Sequence, residues 1–272
     1  MKNIKSILLH VFLVVSALVM LLPMLWMFFL SLKQYPESFP GVVELLKSSY
    51  SFSNYTDALS SDAFGIYFIN SFFIAFCVTI GNIVFCLLTG YAFARKQFHL
   101  KTILFATILG VIIIPPHVIM IPLYRLMVSF GWINSYLSLI LPWMVTPFGI
   151  FLVKQYIESI PSEIESAARI DGASEFYVIF RIIFPLSKPI LTVLAIYTFL
   201  NNWNSFLFPF LFTNDEAYRT LPVGLAFYLG KQSIDWGHLM AGASFSALPV
   251  LLIFILFQKQ IIKGLTAGAL KE

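Results

Sequence analysis

Six long stretches of this chain contain no Asp, Glu, Lys or Arg: Ser6–Leu32, Ala63–Ala94, Thr102–Tyr124, Leu126–Val153, Pro189–Asn214 and Trp236–Gln258. Each is mostly apolar, and crossing the hydrocarbon of a bilayer takes about 20 such residues. The pattern predicts six membrane-spanning helices at about 7–30, 66–93, 103–123, 133–153, 189–212 and 239–257. A segment with Pro36, Pro40 and the Ser-rich run Ser48–Ser53 follows the first, and a short basic turn, Arg95 to Lys101, follows the second. The hydrophilic stretch Lys154–Lys188 joins the fourth to the fifth. Pro115, Pro116, Pro142 and Pro147 fall inside spans, where neighbouring helices are expected to re-satisfy the backbone groups they free. No internal repeat is visible, and residues 1–272 read as a single all-α membrane domain.

Composition agrees. Apolar and aromatic residues make up 59% and charged residues 11%, with a mean hydropathy of +0.88. Soluble domains run at about 45–50% apolar and 25% charged, so a soluble enzyme is excluded, as is disorder, which needs high charge and low hydrophobicity. Lys2 and Lys5 could lead a signal peptide. However, the apolar run Ile7–Leu30 far exceeds the roughly 7–15 residues of such a core and reads as a retained span.

Charge placement predicts orientation. With the N-terminus inside, 12 of the 17 Lys and Arg residues fall in interior loops and 5 in exterior ones, whereas the acids divide 6 to 7. This is the pattern of the positive-inside rule, and it puts both termini in the cytoplasm. The net charge of +4 belongs to this asymmetry, so no nucleic-acid partner is invoked.

Chemistry is sparse within the spans. An ionisable residue in the membrane marks an ion or proton path, and no span core holds one. There is no H-E-x-x-H and no carboxylate pair for hydrolysis. Gly230-Lys231 superficially resembles a phosphate loop. Yet Gly224 is one residue too distant, and Gln232 stands where Ser or Thr would meet magnesium. Cys77 and Cys86 lie on roughly opposite faces of one helix. His10, His99, His117 and His238 are scattered, so neither a metal site nor a cofactor is expected. The polar span residues are Asn70, Asn82, Thr192, Asn201, Asn202, Asn204 and Ser205. The cluster Asn201-Asn202-Trp203-Asn204 suits a polar, uncharged solute as a candidate path lining; the alternative is hydrogen bonding between helices.

The segment 158–185 carries its own helix punctuation. Ser162 and Glu165 form a capping-box pattern, Gly172 a C-terminal stop, and Ile164, Ala167, Ala168 and Asp171 share one face. Ser174 is placed to cap a second helix through Phe176, Ile179 and Phe180, ending before Pro185. The result is a helix–turn–helix elbow where a simple connector needs only a few residues. Two alanines on its face suit close docking against another protein; the alternative is an amphipathic helix lying on the bilayer.

Ser166-Ala-Ala-Arg-Ile-Asp-Gly-Ala-Ser174, continued by Phe180-Arg-Ile-Ile-Phe-Pro-Leu-Ser-Lys-Pro189, resembles the EAA coupling motif of ABC-importer permeases. The carbohydrate-uptake branch, and in particular the smaller permease subunit of maltose-type systems, matches best. Pro122-Leu-Tyr124, Gly131 with Asn134, Pro147-Phe-Gly-Ile-Phe151, Ile160-Pro161, Trp203-Asn204 with Pro209, Leu221-Pro222-Val223, Met240-Ala-Gly242 and Gly264-Leu-Thr-Ala-Gly268 resemble the same branch.

The resemblance implies a type I ABC importer transmembrane fold in a bacterial inner membrane. Its implied partners are a paralogous second permease, two cytoplasmic ATP-binding subunits and an extracytoplasmic solute-binding protein. This chain itself would not be an enzyme. Docking on the ATPase would fall to Ala167, Ala168, Asp171 and Gly172, with Pro185 fixing the exit. The family has Glu at the first motif position, contacting a basic ATPase residue. Here it is Ser166, itself a candidate coupling residue, with Glu165 or Glu163 as candidates to make that contact in its place, although neither shares its direction on the helix. The tail Gly264–Glu272 resembles a segment that reaches the ATPase pair, and the loop Thr213–Asp235 one that probes the binding protein. Competing readings are a stand-alone carrier or channel for a neutral polar solute, and a membrane scaffold.

Overall fold

The structure is a computed structural model, describing residues 2–33, 41, 49–61, 64–229 and 234–267, with side chains described from 5 to 260. Pro36, Pro40, Ser48, Gly230-Lys231, Gln232 and the tail from Gly268 lie outside the described residues. The helices are α1 (Lys2–Ser31), α2 (Ser53–Ser61), α3 (Phe64–Arg95), α4 (Lys101–Ile113), α5 (Met120–Ser129), α6 (Tyr136–Ile140), α7 (Pro147–Glu158), α8 (Glu163–Ile170), α9 (Glu175–Leu186), α10 (Lys188–Trp203), α11 (Leu207–Phe212), α12 (Leu221–Ala226) and α13 (Trp236–Ala267). Among the described residues there is no strand, only a bridge between Lys33 and Tyr50.

Among the described residues, four helical stretches are long and apolar enough to cross a membrane, or six if two bent pairs each count as one span. α4 and the stretch Pro116–Ser129 are bent by 98°, and α9 and α10 by 78°. The expected third span is therefore broken, and its prolines are not tolerated inside a helix. Pro115 disfavours the helical conformation at Ile114, which is extended at φ −75°, ψ 119°, and Pro116 opens a 3-10 turn. Pro142 likewise sits at the start of a 3-10 turn, and Pro147 opens α7 with Thr146 accepting from the Gly149 amide as its cap. A proline's missing N–H is harmless at such positions. The fifth span is interrupted between Trp203 and Leu207, leaving α10 with 16 residues, about 24 Å.

The chain divides into two compact units, Met1–Phe68 with Leu221–Pro249, and Ile69–Thr220 with Val250–Glu272. In the first, Asn54 Nδ2 donates to the carbonyls of Ser31 and Lys33, both at 2.8 Å, tying α2 to the end of α1. None of the most apolar stretch of α1 is buried within the chain.

The second unit holds the main core. Gly149 lies where an added Cβ would meet Cys86 Sγ at 2.7 Å and Asn82 Oδ1 at 3.0 Å, and Gly90 where it would meet Val153 at 2.9 Å. Small residues thus let α3 and α7 cross in close contact, as membrane helices commonly do. Polar pins fix the crossing: buried Asn82 donates to the Trp143 carbonyl at 2.8 Å and accepts from Thr146 at 3.0 Å. Higher up, Asn70 donates to the carbonyls of Ala217 and Arg219, each at 2.9 Å, and accepts from Tyr136 at 2.7 Å. Asn70→Leu orphans all three partners. It is expected to lower stability by about 1–3 kcal/mol, read as an earlier thermal midpoint in detergent; an unchanged midpoint would mean the clamp carries no load.

Candidate functional site

The elbow forms as α8, a turn and α9. Gly172 sits in the turn at φ +86°, a conformation glycine adopts without penalty. Its amide closes on the Arg169 carbonyl at 3.1 Å, and the Ala173 amide on Ala168 at 2.9 Å. Ser174 caps α9, accepting from the Tyr177 amide at 3.3 Å. The expected capping box at the start of α8 does not form. Ser162 makes no side-chain cap and already has helical angles, because Glu165 is drawn inward instead.

Glu165 is 1% exposed. It accepts from Arg95 Nε at 2.6 Å and from Arg169 at 3.2 Å, and it shares the single proton of the Tyr91 hydroxyl, at 3.1 Å, with Glu175. Arg95 also donates to the Ile160 carbonyl at 2.6 Å. On the second arm, Glu175 pairs with Lys96 at 2.6 Å and accepts from Tyr91. Burial pushes the Glu175 carboxyl up, but hydrogen bonds from Lys96 and Tyr91 and the charges of Lys96 and Arg169 outweigh it and hold the group below its ordinary value. Below these polar contacts, Val178, Ile179 and Ile183 of α9 are buried with Leu87, Tyr91, Val153, Ile157, Leu191 and Leu194. Residues Val178–Ile183 are π-helical, a winding that bonds residues five apart and appears mostly as a single turn. It brings Val178 and Ile183 onto that buried face. Hence α9 does not stop before Pro185 but runs on to Leu186.

The opposite side of the elbow is bare. Ile170 is 86% exposed and Phe176 73%, beside exposed Ile164, Ser166, Ala167, Asp171, Gly172 and Tyr177. Among the expected docking residues, Ser166, Ala167, Asp171 and Gly172 face outward, and Pro185 is exposed at the exit. Ala168 is half-buried and packs inward against the α9 cluster. Glu165 is buried and engaged, so of the two acids near Ser166 only Glu163 is on the surface. Ser166 Oγ itself donates to the Ser162 carbonyl at 3.2 Å.

In the Asn cluster, Asn201 and Asn204 are exposed and Asn202 is half-buried. Asn201, Asn202 and Asn204 each donate to the carbonyl four residues earlier on α10, at 2.8, 2.9 and 2.8 Å. Trp203 is fully buried. A cavity of about 470 Å³ in the second unit includes none of the four; Phe76, Thr79, Lys188, Thr192 and Phe199 line it. The loop after α11 is held by Asn134, at φ 54°, whose Oδ1 accepts from the amides of Asn214 and Asp215 at 2.6 and 3.0 Å.

Tyr91, Arg95, Lys96 and Glu175 were not singled out from the sequence. The available signal was the i, i+4 pair Tyr91 and Arg95 at the end of a span, which meets Glu165 and Glu175 of the elbow. Exposed Ile170 and Phe176 were likewise passed over, although large apolar residues on a hydrophilic loop mark contact surfaces.

Residues 83–266 match the family described as binding-protein-dependent transport system inner membrane component. The arabinooligosaccharides transport system permease protein AraQ of Bacillus subtilis (strain 168) is 36% identical over 81% of this chain and 79% of that protein. The trehalose/maltose transport system permease protein MalG of Thermococcus litoralis is 34% identical over 98% of both chains. Among solved structures, a bacterial ABC transporter involved in import of the acidic polysaccharide alginate contains a chain of the same fold, with a TM-score of 0.82 and 23% identity over 94% of this chain and 96% of that one.

Proposed function

We propose a mechanism that proceeds from one premise: this chain belongs to the family of binding-protein-dependent transport system inner membrane components, and is a multi-pass permease subunit of an importer. Its solute is a sugar, since the relatives AraQ and MalG are named for arabinooligosaccharide and trehalose/maltose transport. Both termini are cytoplasmic, on the weight of 12 interior against 5 exterior basic residues. Residues 1–272 act as one transmembrane domain, forming half of the path beside a second, paralogous permease. Two ATP-binding subunits inside and a solute-binding protein outside complete the assembly.

The observation that carries this reading is the two-sided elbow. Its back is buried and ion-paired against the spans, whereas its front offers Ala167, Ile170, Asp171, Gly172 and Phe176 to a partner. Closure of the ATP-bound subunits would push this front and, through its rigid back, swing the spans to face outward. Hydrolysis would reverse the motion. A ligand shifts such an equilibrium only by its preference for one state, and moving a population from 1:99 to 99:1 takes about 5.5 kcal/mol.

Reconstitution tests it. The complete assembly should take up sugar only with ATP, and this chain alone should take up none; uptake by the chain alone without ATP would make it a stand-alone carrier. Fully burying an Ile side chain is worth about 1.5–3 kcal/mol, so Ile170→Asp should weaken co-purification of the ATP-binding subunits by roughly ten- to hundredfold. Undiminished co-purification would remove the elbow front from the interface.

A further inference from the structure

We infer that residues 91–96 at the end of α3 are the joint through which the elbow drives the spans, with Arg95 and Glu165 as its positioning residues. The inference rests on the elbow being the element that meets the ATP-binding subunits, and it says which part of the membrane domain receives the motion.

Both arms of the elbow converge on this one stretch. Glu165 of α8 is held by Arg95 at 2.6 Å and lies 3.1 Å from the Tyr91 hydroxyl. Glu175 of α9 is held by Lys96 at 2.6 Å and by the same Tyr91 hydroxyl. The approach to the elbow is held there too, since Arg95 Nη2 donates to the Ile160 carbonyl at 2.6 Å. A guanidinium is a rigid planar fork, so Arg95 fixes the angle between the α7–α8 connection and α8 itself. Lysine, with one flexible ammonium, holds no such angle.

Tyr91 adds a second constraint. Its hydroxyl has one proton to donate and stands between carboxylates from both arms, while Arg169 donates to its oxygen at 2.9 Å. The arms are thereby tied to each other as well as to α3. Neither can tilt alone without breaking a charge-assisted bond, the stronger class of hydrogen bond.

Adhesion alone does not account for this arrangement. Glu165 is 1% exposed, and the Arg95 side chain is 14% exposed. Apolar residues of similar volume commonly hold a buried contact as well as an ion pair does, and the apolar cluster beneath already fastens α9. What the ion pairs add is direction. An elbow attached through apolar contacts can slide over them, whereas one attached through Arg95 and Glu165 must carry the end of α3 with it.

The test uses the complete assembly in vesicles and reads sugar taken up per ATP hydrolysed, on material purified as assembled complex. Arg95→Lys keeps the charge and loses the fork; Glu165→Gln keeps the shape and loses the charge. Each should leave ATP hydrolysis per complex largely intact and lower the uptake-to-hydrolysis ratio by roughly tenfold. Tyr91→Phe keeps the ring and removes only the hydroxyl, and should lower the ratio by about threefold. It decides the matter if the other two fail to assemble. Glu158→Gln, at the exposed end of its pair with Lys154 on α7, should leave the ratio unchanged. A ratio equal to wild type in the assembled variants, whether both activities persist or both fall in parallel, overturns the joint. Absence of ATP-driven uptake in the wild-type assembly would instead overturn the importer mechanism itself.

Discussion

A Gly172→Pro variant is expected to reach the membrane at normal levels and to import at less than about one-hundredth of the wild-type rate. Proline fixes φ near −65°, whereas this position sits at +86°, so the turn between α8 and α9 cannot keep its shape. The substitution also removes the amide that bonds to Arg169 at 3.1 Å. A third conflict falls on the preceding residue. Asp171 is held near φ −75°, ψ 6°, a region that a following proline disfavours. Together these cost about 3 kcal/mol or more, and each 1.4 kcal/mol is tenfold in population. The damage is local, because beyond its two chain neighbours no described atom lies within 4 Å of the position an added Cβ would take. Gly172→Ala meets only the left-handed penalty of about 1–2 kcal/mol and should retain intermediate uptake. Import by the proline variant at wild-type rate, with blotting to confirm its amount in the membrane, would show that the elbow transmits nothing.

Gly149→Leu should have the largest effect on the fold itself. Its added Cβ alone would meet Cys86, Thr146 and Asn82 at 2.7, 2.9 and 3.0 Å. Asn82 cannot retreat freely while it serves the Trp143 carbonyl. Inserting further methylenes forces α3 and α7 apart, at about 1–3 kcal/mol for overpacking, and breaking the Asn82 bonds adds about 1–3 kcal/mol for each buried group left unpaired. The purified variant should unfold at a markedly lower temperature in detergent and lose assembly with its partners. A wild-type thermal profile would mean that the crossing is looser than these distances indicate.

Much of the architecture was legible from the chain. Six charge-free stretches predict the spans because a bilayer demands a minimum apolar length, and Gly172 and Ser174 declare the elbow's turn through local backbone rules. The interior of the third and fifth spans was not legible, since a proline in an apolar stretch reads the same whether its helix bends or breaks. Glu165 was misread for a related reason. A capping box is a local pattern, and the competing partner, Arg95, is seventy residues away in the sequence. The Asn cluster illustrates the opposite ambiguity: an amide in a span can face a solute, serve its own helix or do both, and Asn201, Asn202 and Asn204 each bond to their own helix while Asn201 and Asn204 stay exposed.

The π-helical turn at Val178–Ile183 imposes an arithmetic on the chain. Such a turn accommodates one residue more than regular winding would, and each residue rotates an α-helix by about 100°. Deleting a single residue between Tyr177 and Phe184 would restore ordinary winding and leave Phe176 and Tyr177 facing as they do relative to Ser187, whereas the same deletion in a regular turn would swing them by about 100°. Loss of one residue within this stretch should therefore disturb the elbow's outer side less than loss of one residue from α8, whose winding is regular.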